Sequence, residues 1–215
     1  MSTSDTPPQT RSELLKASPQ MFELKVFEKL SRVHPAVPLV IFVPTISALT
    51  IAGAVDTGIL KALAWYAGGW FFWTLTEYWL HRVIFHFDAD NKWAHRFHFI
   101  IHGVHHDHPN DPLRLVMPPG ASIPLASMFL AAFWALLPSG AWMVFGGGFL
   151  SGYLFYDMLH FHVHHHKPTT RLGRKLRELH MRHHFQDHST GFGVSAPFWD
   201  SVFGTKPKPR QSSAK

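Results

Sequence analysis

Residues 156–184 read YDMLHFHVHHHKPTTRLGRKLRELHMRHH, and the fold is decided by how this stretch is read. His160 and His164 stand four apart, and His180, His183 and His184 follow in an HxxHH pattern. Spacings of three and four put side chains on one face of a helix, which is how a helix offers several imidazoles to one metal. The stretch begins at the end of a long apolar run, so a membrane helix is expected to carry these ligands to its tip.

An earlier stretch echoes it, with His81 and His86 in HRVIFH and then His102, His105 and His106 in HGVHH. Each half thus offers five imidazoles, a pair and a triple, and ten in two matched sets point to two metals. His81 and His86 lie about 140° apart around an α-helix. Either the helix breaks between them or they serve different metals. Glu77 shares a face with His81 and is expected to receive its second ring N–H, a solvated interfacial acid being the alternative. Asp107, Asp157 and Asp187 are cast in the same supporting role, whereas His95, His98 and His108 read as surface or packing residues.

The segments 36–55, 62–80, 120–138 and 140–159 are each about the length that crosses a hydrocarbon core, near 20 residues. Their only charges are Glu77 and Asp157, both near the histidine-bearing end. A chain of 215 residues cannot bury four such helices in one soluble core. The expected fold is an all-α integral membrane protein, with four transmembrane helices in two hairpins and a cytoplasmic histidine-rich metal domain. The hairpins turn at 55–61 and at Ser139, and the metal domain is drawn from 81–119 and 160–205, within a unit spanning 36–205. Residues 1–18 read as a disordered tail and 206–215 as a flexible basic tail. Between 19 and 33, Phe22, Val26, Leu30 and Val33 recur at helical spacing, which suits an interfacial amphipathic helix or one packed on the metal domain.

Of the 20 Lys and Arg residues, five precede the first segment, four lie in 81–119, ten follow the last segment, and Lys61 alone lies on the other side. The positive-inside rule then places both termini and the paired histidines in the cytoplasm. The net charge of +6 therefore reflects topology and anionic lipid, and calls for no nucleic acid. No basic-then-apolar leader opens the chain, so the first span is expected to serve as the insertion signal. The absence of Cys removes thiolate ligands and disulfides.

Structural zinc is satisfied by four ligands, usually with thiolates among them, so ten imidazoles fit it poorly. Five neutral nitrogens per ion leave one octahedral position open, as dioxygen activation requires. A metal pair at the membrane surface meets lipid chains, which points to oxidation of a lipid C–H bond. A metal transporter or other non-enzymatic metal-binding membrane protein would carry metal-binding groups inside its spans, and these four contain no His.

The segments HRVIFHF, HFIIHGVHHDHPNDPLRLVMPP, GYLFYDMLHFHVHHH and LHMRHHFQDHSTGFGVSAPFWDSVFGT, in this order, resemble the integral-membrane fatty acid hydroxylase superfamily, and within it the fatty acid 2-hydroxylases. The resemblance covers roughly residues 60–205. It implies a dinuclear, diiron centre held by His81, His86, His102, His105, His106, His160, His164, His180, His183 and His184. It selects His160 and His164 over His162 and His166, because the family pattern counts from Tyr156 and Asp157, themselves candidates for a supporting role or the substrate mouth. It implies that O₂ and two electrons convert a fatty acyl chain to its 2-hydroxy form, often on the N-acyl chain of a sphingolipid. A purified sample can hold zinc instead, since imidazole takes both metals. Many eukaryotic relatives carry a fused cytochrome b5 domain that residues 1–35 are too short to form. The expected electron source is therefore a separate cytochrome b5-like or ferredoxin-like protein, for which Arg171, Arg174, Lys175 and Arg177 offer a docking surface, contact with lipid phosphates being the alternative. A lipid desaturase and a carotenoid or sterol hydroxylase share this histidine chemistry and stand as the alternatives.

Overall fold

The structure is a computed structural model that describes residues 10–87 and 91–208. Its helices are α1 (Arg11–Lys16), α2 (Lys25–Leu30), α3 (Ala36–Thr57), α4 (Ile59–Trp79), α5 (Lys92–His98), α6 (Val104–Asp107), α7 (Pro119–Leu136), α8 (Ala141–His165), α9 (Arg171–Phe185) and α10 (Phe198–Val202). No strand occurs among the described residues.

The long helices form two hairpins. Gly58, at φ +78°, ends α3 and begins α4, so the first turn is a single residue and tighter than 55–61. Gly140, at φ +76°, performs the same reversal before α8. Both angles lie in the left-handed region that glycine enters at little cost. Helices α3 and α7 are long and apolar enough to cross a membrane, and only 17% and 11% of their apolar windows are buried. Their apolar side chains therefore face outward, which a soluble core helix would not allow.

Helix α8 is the axis, packed against α3, α4 and α7. Its glycines let the neighbours approach: a Cβ on Gly147 would strike Thr50 of α3, and one on Gly148 the Tyr66 backbone of α4. The small-residue run is thus occupied by close helix packing. Above it Trp73 of α4 meets Phe149 and Tyr153 edge-on, with ring centroids 5.2 and 5.3 Å apart. Such aromatic pairs contribute about 0.5–1.5 kcal/mol each beyond the area they bury.

The N-terminal segment differs from expectation. Residues 1–9 lie outside the described residues, but 10–16 are ordered: Thr10 accepts the Glu13 amide at 3.3 Å, and Glu13 accepts the Thr10 amide at 2.7 Å, a capping box that starts α1. The helix expected over 19–33 spans only Lys25–Leu30. Glu28 reaches back to accept the amides of Met21 and Phe22 at 2.9 and 3.2 Å, which holds 21–24 out of the helix. The apolar stripe is split in consequence, Val26 and Leu30 being exposed while Val33 is buried. The Val33 amide donates to the Leu113 carbonyl at 2.7 Å. Of the tail at 206–215, residues 209–215 lie outside the described residues.

Candidate metal centre

Beyond Trp79 the chain does not continue as an α-helix. Residues Leu80–Phe85 form a π-helical turn. Hydrogen bonds from i to i+5 widen the helix, so residues five apart come into register. His81 and His86, which an α-helix would separate, have ring centroids 5.0 Å apart. The helix changes type rather than breaking, and both rings join one cluster. A second π-helical turn, Phe99–Gly103, leads from α5 into α6.

Ten imidazoles gather in two groups of five: His81, His86, His102, His106 and His183, and His105, His160, His164, His180 and His184. Within each group one ring nitrogen per residue lies within 4.8 Å of the others. The groups do not divide by sequence half. His105 leaves the first half for the second group, and His183 does the reverse. Adjacent residues on a helix point about 100° apart, so α6 and α9, lying between the groups, supply both.

The spacing tests the fit to a cation. Nε2 of His102 is 3.2 Å from that of His81 and 3.0 Å from that of His106, which is 3.2 Å from His183 Nε2. In the second group His180 Nε2 is 2.8 Å from His164 Nε2 and 3.1 Å from His184 Nε2. Metal–imidazole bonds of about 2.0–2.1 Å put neighbouring ligand nitrogens about 3 Å apart. Buried His86 Nε2, His160 Nε2 and both nitrogens of His105 have no hydrogen-bond partner among the described residues. A cation at each focus would use one lone pair from each of these rings.

Electrostatics points the same way. Burial first, then repulsion from His183 and other neighbouring imidazoles, pushes His86 down to about 3. Burial likewise holds His183 at about 4, even though the Thr190 carbonyl favours its protonated form. Burial drives His81, His102, His105, His106, His180 and His184 well below the ordinary histidine range. At neutral pH these rings are uncharged, the state that ligates metal.

The supporting contacts differ from those expected of the acids. His81 Nδ1 donates to the Phe192 carbonyl at 2.8 Å, not to Glu77. Glu77 is buried and accepts instead from the Ser195 amide, at 2.7 Å, and from the Ser195 hydroxyl. His183 Nδ1 donates to the Thr190 carbonyl at 2.7 Å. Asp157 accepts the Met117 amide at 3.3 Å and the Tyr153 hydroxyl at 3.4 Å. Asp187 caps its own turn through the amide and hydroxyl of Ser189, and Asp107 is exposed. Tyr156 stacks on His160, with centroids 5.6 Å apart and planes 19° apart. His162 and His166 are exposed on the outer side of α8. His188, which the spacing did not single out, donates to the His183 carbonyl at 3.1 Å.

Comparison with known proteins places this geometry. The fatty acid hydroxylase family model matches residues 66–205. The chain belongs to the fatty acid hydroxylase family. It is 37% identical over 194 residues to a dihydroceramide fatty acyl 2-hydroxylase of Arabidopsis thaliana, covering 89% of this chain and 81% of that protein. It is 47% identical over 141 residues to a ceramide very long chain fatty acid hydroxylase of Saccharomyces cerevisiae, covering 64% of this chain and 36% of that protein. A solved structure of full-length Scs7p, with only the hydroxylase domain visible, superposes with TM-score 0.82 at 38% identity, covering 88% of this chain and 72% of that one. The family match thus coincides with the part of this hydroxylase that holds every histidine of both groups.

Sequence reading missed the partners of the first group. Two are backbone carbonyls, of Thr190 and Phe192, which no residue type announces. Asp200, which holds the second of them, does leave a trace: an acid inside the apolar run FWDSVF is a candidate for a buried, bonded carboxylate.

Proposed function

We propose that this hydroxylase inserts one atom of O₂ at C2 of a fatty acyl chain, free or as the N-acyl chain of a sphingolipid, using two electrons from a separate donor protein. The observation that carries the reading is the pair of five-imidazole groups, each with Nε2 atoms 2.8–3.2 Å apart, at the tips of α4 and α8. Two bound iron ions would supply the O₂-activating redox chemistry. Ten neutral imidazoles accept zinc as well, so the metal in a purified sample does not identify the working one.

The chain's own part is to seat the acyl chain. Beneath Tyr156, an apolar cleft between α4, α7 and α8 is lined by Trp73, Met117, Phe129, Phe149 and Tyr153. Asp157 ties the Met117 amide to α8 and so fixes the mouth of that cleft. An acyl chain would part these side chains on entering, keeping its tail in hydrocarbon and bringing its carboxyl end toward the histidines.

The same reading sets topology: four spans, with both termini and both metal groups on the cytoplasmic side. The distribution of Lys and Arg supports it. Arg171, Arg174 and Lys175, exposed on α9, present a basic surface for an acidic donor, while Arg177 donates to the His166 carbonyl at 2.7 Å and so caps α8. The relatives named above are hydroxylases, which favours hydroxylation over desaturation here.

Mass spectrometry of hydrolysed acyl chains from expressing cells under ¹⁸O₂ tests the reading, beside His183→Ala. The expected product is a 2-hydroxy acid carrying one ¹⁸O that the variant does not make. New double bonds would instead make the protein a desaturase. Unaltered acyl chains, with a reductase, a donor and sphingolipid precursors supplied, would overturn the acyl substrate and turn the search to sterols or carotenoids.

A further inference from the structure

A second buried polar cluster lies under residues 191–205. Asp200 is 1% exposed, yet it accepts three hydrogen bonds: from the Phe192 amide at 2.9 Å, the Gly193 amide at 3.1 Å and the Thr205 hydroxyl at 2.8 Å. The loop is closed again where the Gly191 amide donates to the Thr205 carbonyl and the Thr205 amide to the Asp200 carbonyl, both at 2.8 Å. The closed loop is then clamped to α4. Trp199 Nε1 donates to Thr74 Oγ1 at 3.0 Å, Ser195 bonds Glu77 through amide and hydroxyl, and Thr205 Oγ1 lies 2.8 Å from the Tyr78 hydroxyl.

Thr74, Glu77, Tyr78 and His81 stand at i, i+3, i+4 and i+7, so the clamp runs along the face of α4 that leads to His81. Where the loop reaches that histidine, the Phe192 carbonyl takes its Nδ1–H; just before, the Thr190 carbonyl takes that of His183. Both rings belong to the first group. Among the described residues, no ring nitrogen of the second group bonds outside its own group. Burying a carboxylate is costly unless it is fully bonded. Asp200 and Glu77 spend that cost on backbone amides of one loop, and the loop spends its carbonyls on two metal-facing histidines.

We infer that Asp200 and Glu77 are positioning residues for the first metal alone: through the 190–195 backbone they fix the tautomers of His81 and His183 with the Nε2 lone pairs turned inward. The inference rests on the metal-pair reading above. Loss of a group that directly bonds a ligating histidine typically weakens metal binding about 10–100-fold. Asp200 acts one bond further out, through the Phe192 amide, so Asp200→Asn is expected to weaken the first ion by the lower end of that range, roughly tenfold, and leave the second unchanged.

The test uses the full chain in detergent with Zn²⁺ alone as probe, counting zinc per chain after dialysis against a graded chelator. Wild type is expected to hold two ions at chelator levels where Asp200→Asn holds one. Combining Asp200→Asn with His184→Ala should leave none, and combining it with His183→Ala should leave one, which identifies the group affected. Retention of both ions by Asp200→Asn, or parallel loss of both, overturns the inference, since a general loosening of the fold would not choose between groups. If Asp200→Asn does not fold, Ser195→Ala and Thr205→Val each remove one clamp and should weaken the first ion only; unchanged or parallel binding in both again overturns it. A wild type unable to hold two ions would sink the metal-pair reading itself.

Discussion

The two histidine groups have the same ligand type and number but are held differently. The second is sealed, with His105, His160, His164, His180 and His184 all buried on the regular helices α6, α8 and α9. The first is half open, with His86 and His106 only partly buried, and His81 and His86 stand on and just after a π-helical turn. It is also the group that takes bonds from outside, from the Phe192 and Thr190 carbonyls. The two rings so bonded, His81 and His183, are the fully buried ones, and among the described residues the partly exposed His86 and His106 take no bond from outside the group. Fixed carbonyls thus set the tautomers of the two anchoring rings, which packing alone does in the sealed group.

The harshest way to break the comparison is to disturb what both groups share. The π-helical turn that extends α4 carries His81 and α8 carries His160 and His164, and α4 and α8 meet where Gly148 lies on the Tyr66 backbone. Gly148→Ala puts a methyl group into that contact, where nothing but backbone can yield. Overpacking of this kind costs about 1–3 kcal/mol, and splaying the helices separates the ligands of both groups. Lower thermal stability and loss of both metals are expected, measured by unfolding and metal content. A variant with two metals and unchanged stability would show that the helix spacing is not what sets the groups.

Adjacent residues sharpen the contrast. His105→Ala and His106→Ala change neighbours on α6, yet each should remove one ion, and a different one, with turnover abolished in both. The ion remaining in His106→Ala sits in the sealed group and should yield slowly to a chelator; the ion remaining in His105→Ala should leave quickly. Stopped-flow chelation with a coloured metal indicator reads both rates. Equal rates would erase the distinction between open and sealed groups.

Much of this was legible in the sequence because imidazoles at helical spacing need only a helix to align them. The ten histidines named from their pattern and the family resemblance are the ten that converge. The membership of each group was not legible, because it depends on how α6 and α9 are inserted between α4 and α8 rather than on order along the chain. The placing of His81 with His86 was hidden for a different reason. A π-helical turn changes the period from which the sequence is read, and LHRVIF carries no residue that announces one. Glu77 was assigned to His81 on helical spacing alone, but the folded chain brings Ser195 to it from 118 residues away.

The mildest perturbation is acid, applied to the metal-free protein. In the unfolded chain histidine titrates near 6.5, whereas in the fold burial holds His183 near 4 and His86 near 3. Between those values the unfolded chain binds protons that the folded chain refuses. The stability contributed by these neutral rings is therefore complete above about pH 6.5 and is lost as pH falls toward 4 and then 3. For His183, which is fully buried, the slope approaches about 1.4 kcal/mol per pH unit. Thermal unfolding at pH 7.5 and pH 5.5 should show the loss, and His183→Ala should flatten it by one proton. The sealed group should contribute more than the open one, because acid can reach His86 and His106 through local opening while His105, His180 and His184 take protons only as the helices part. His184→Ala is accordingly expected to flatten the profile more than His86→Ala. The reverse order would mean that the first group, and not the second, is the better sealed of the two.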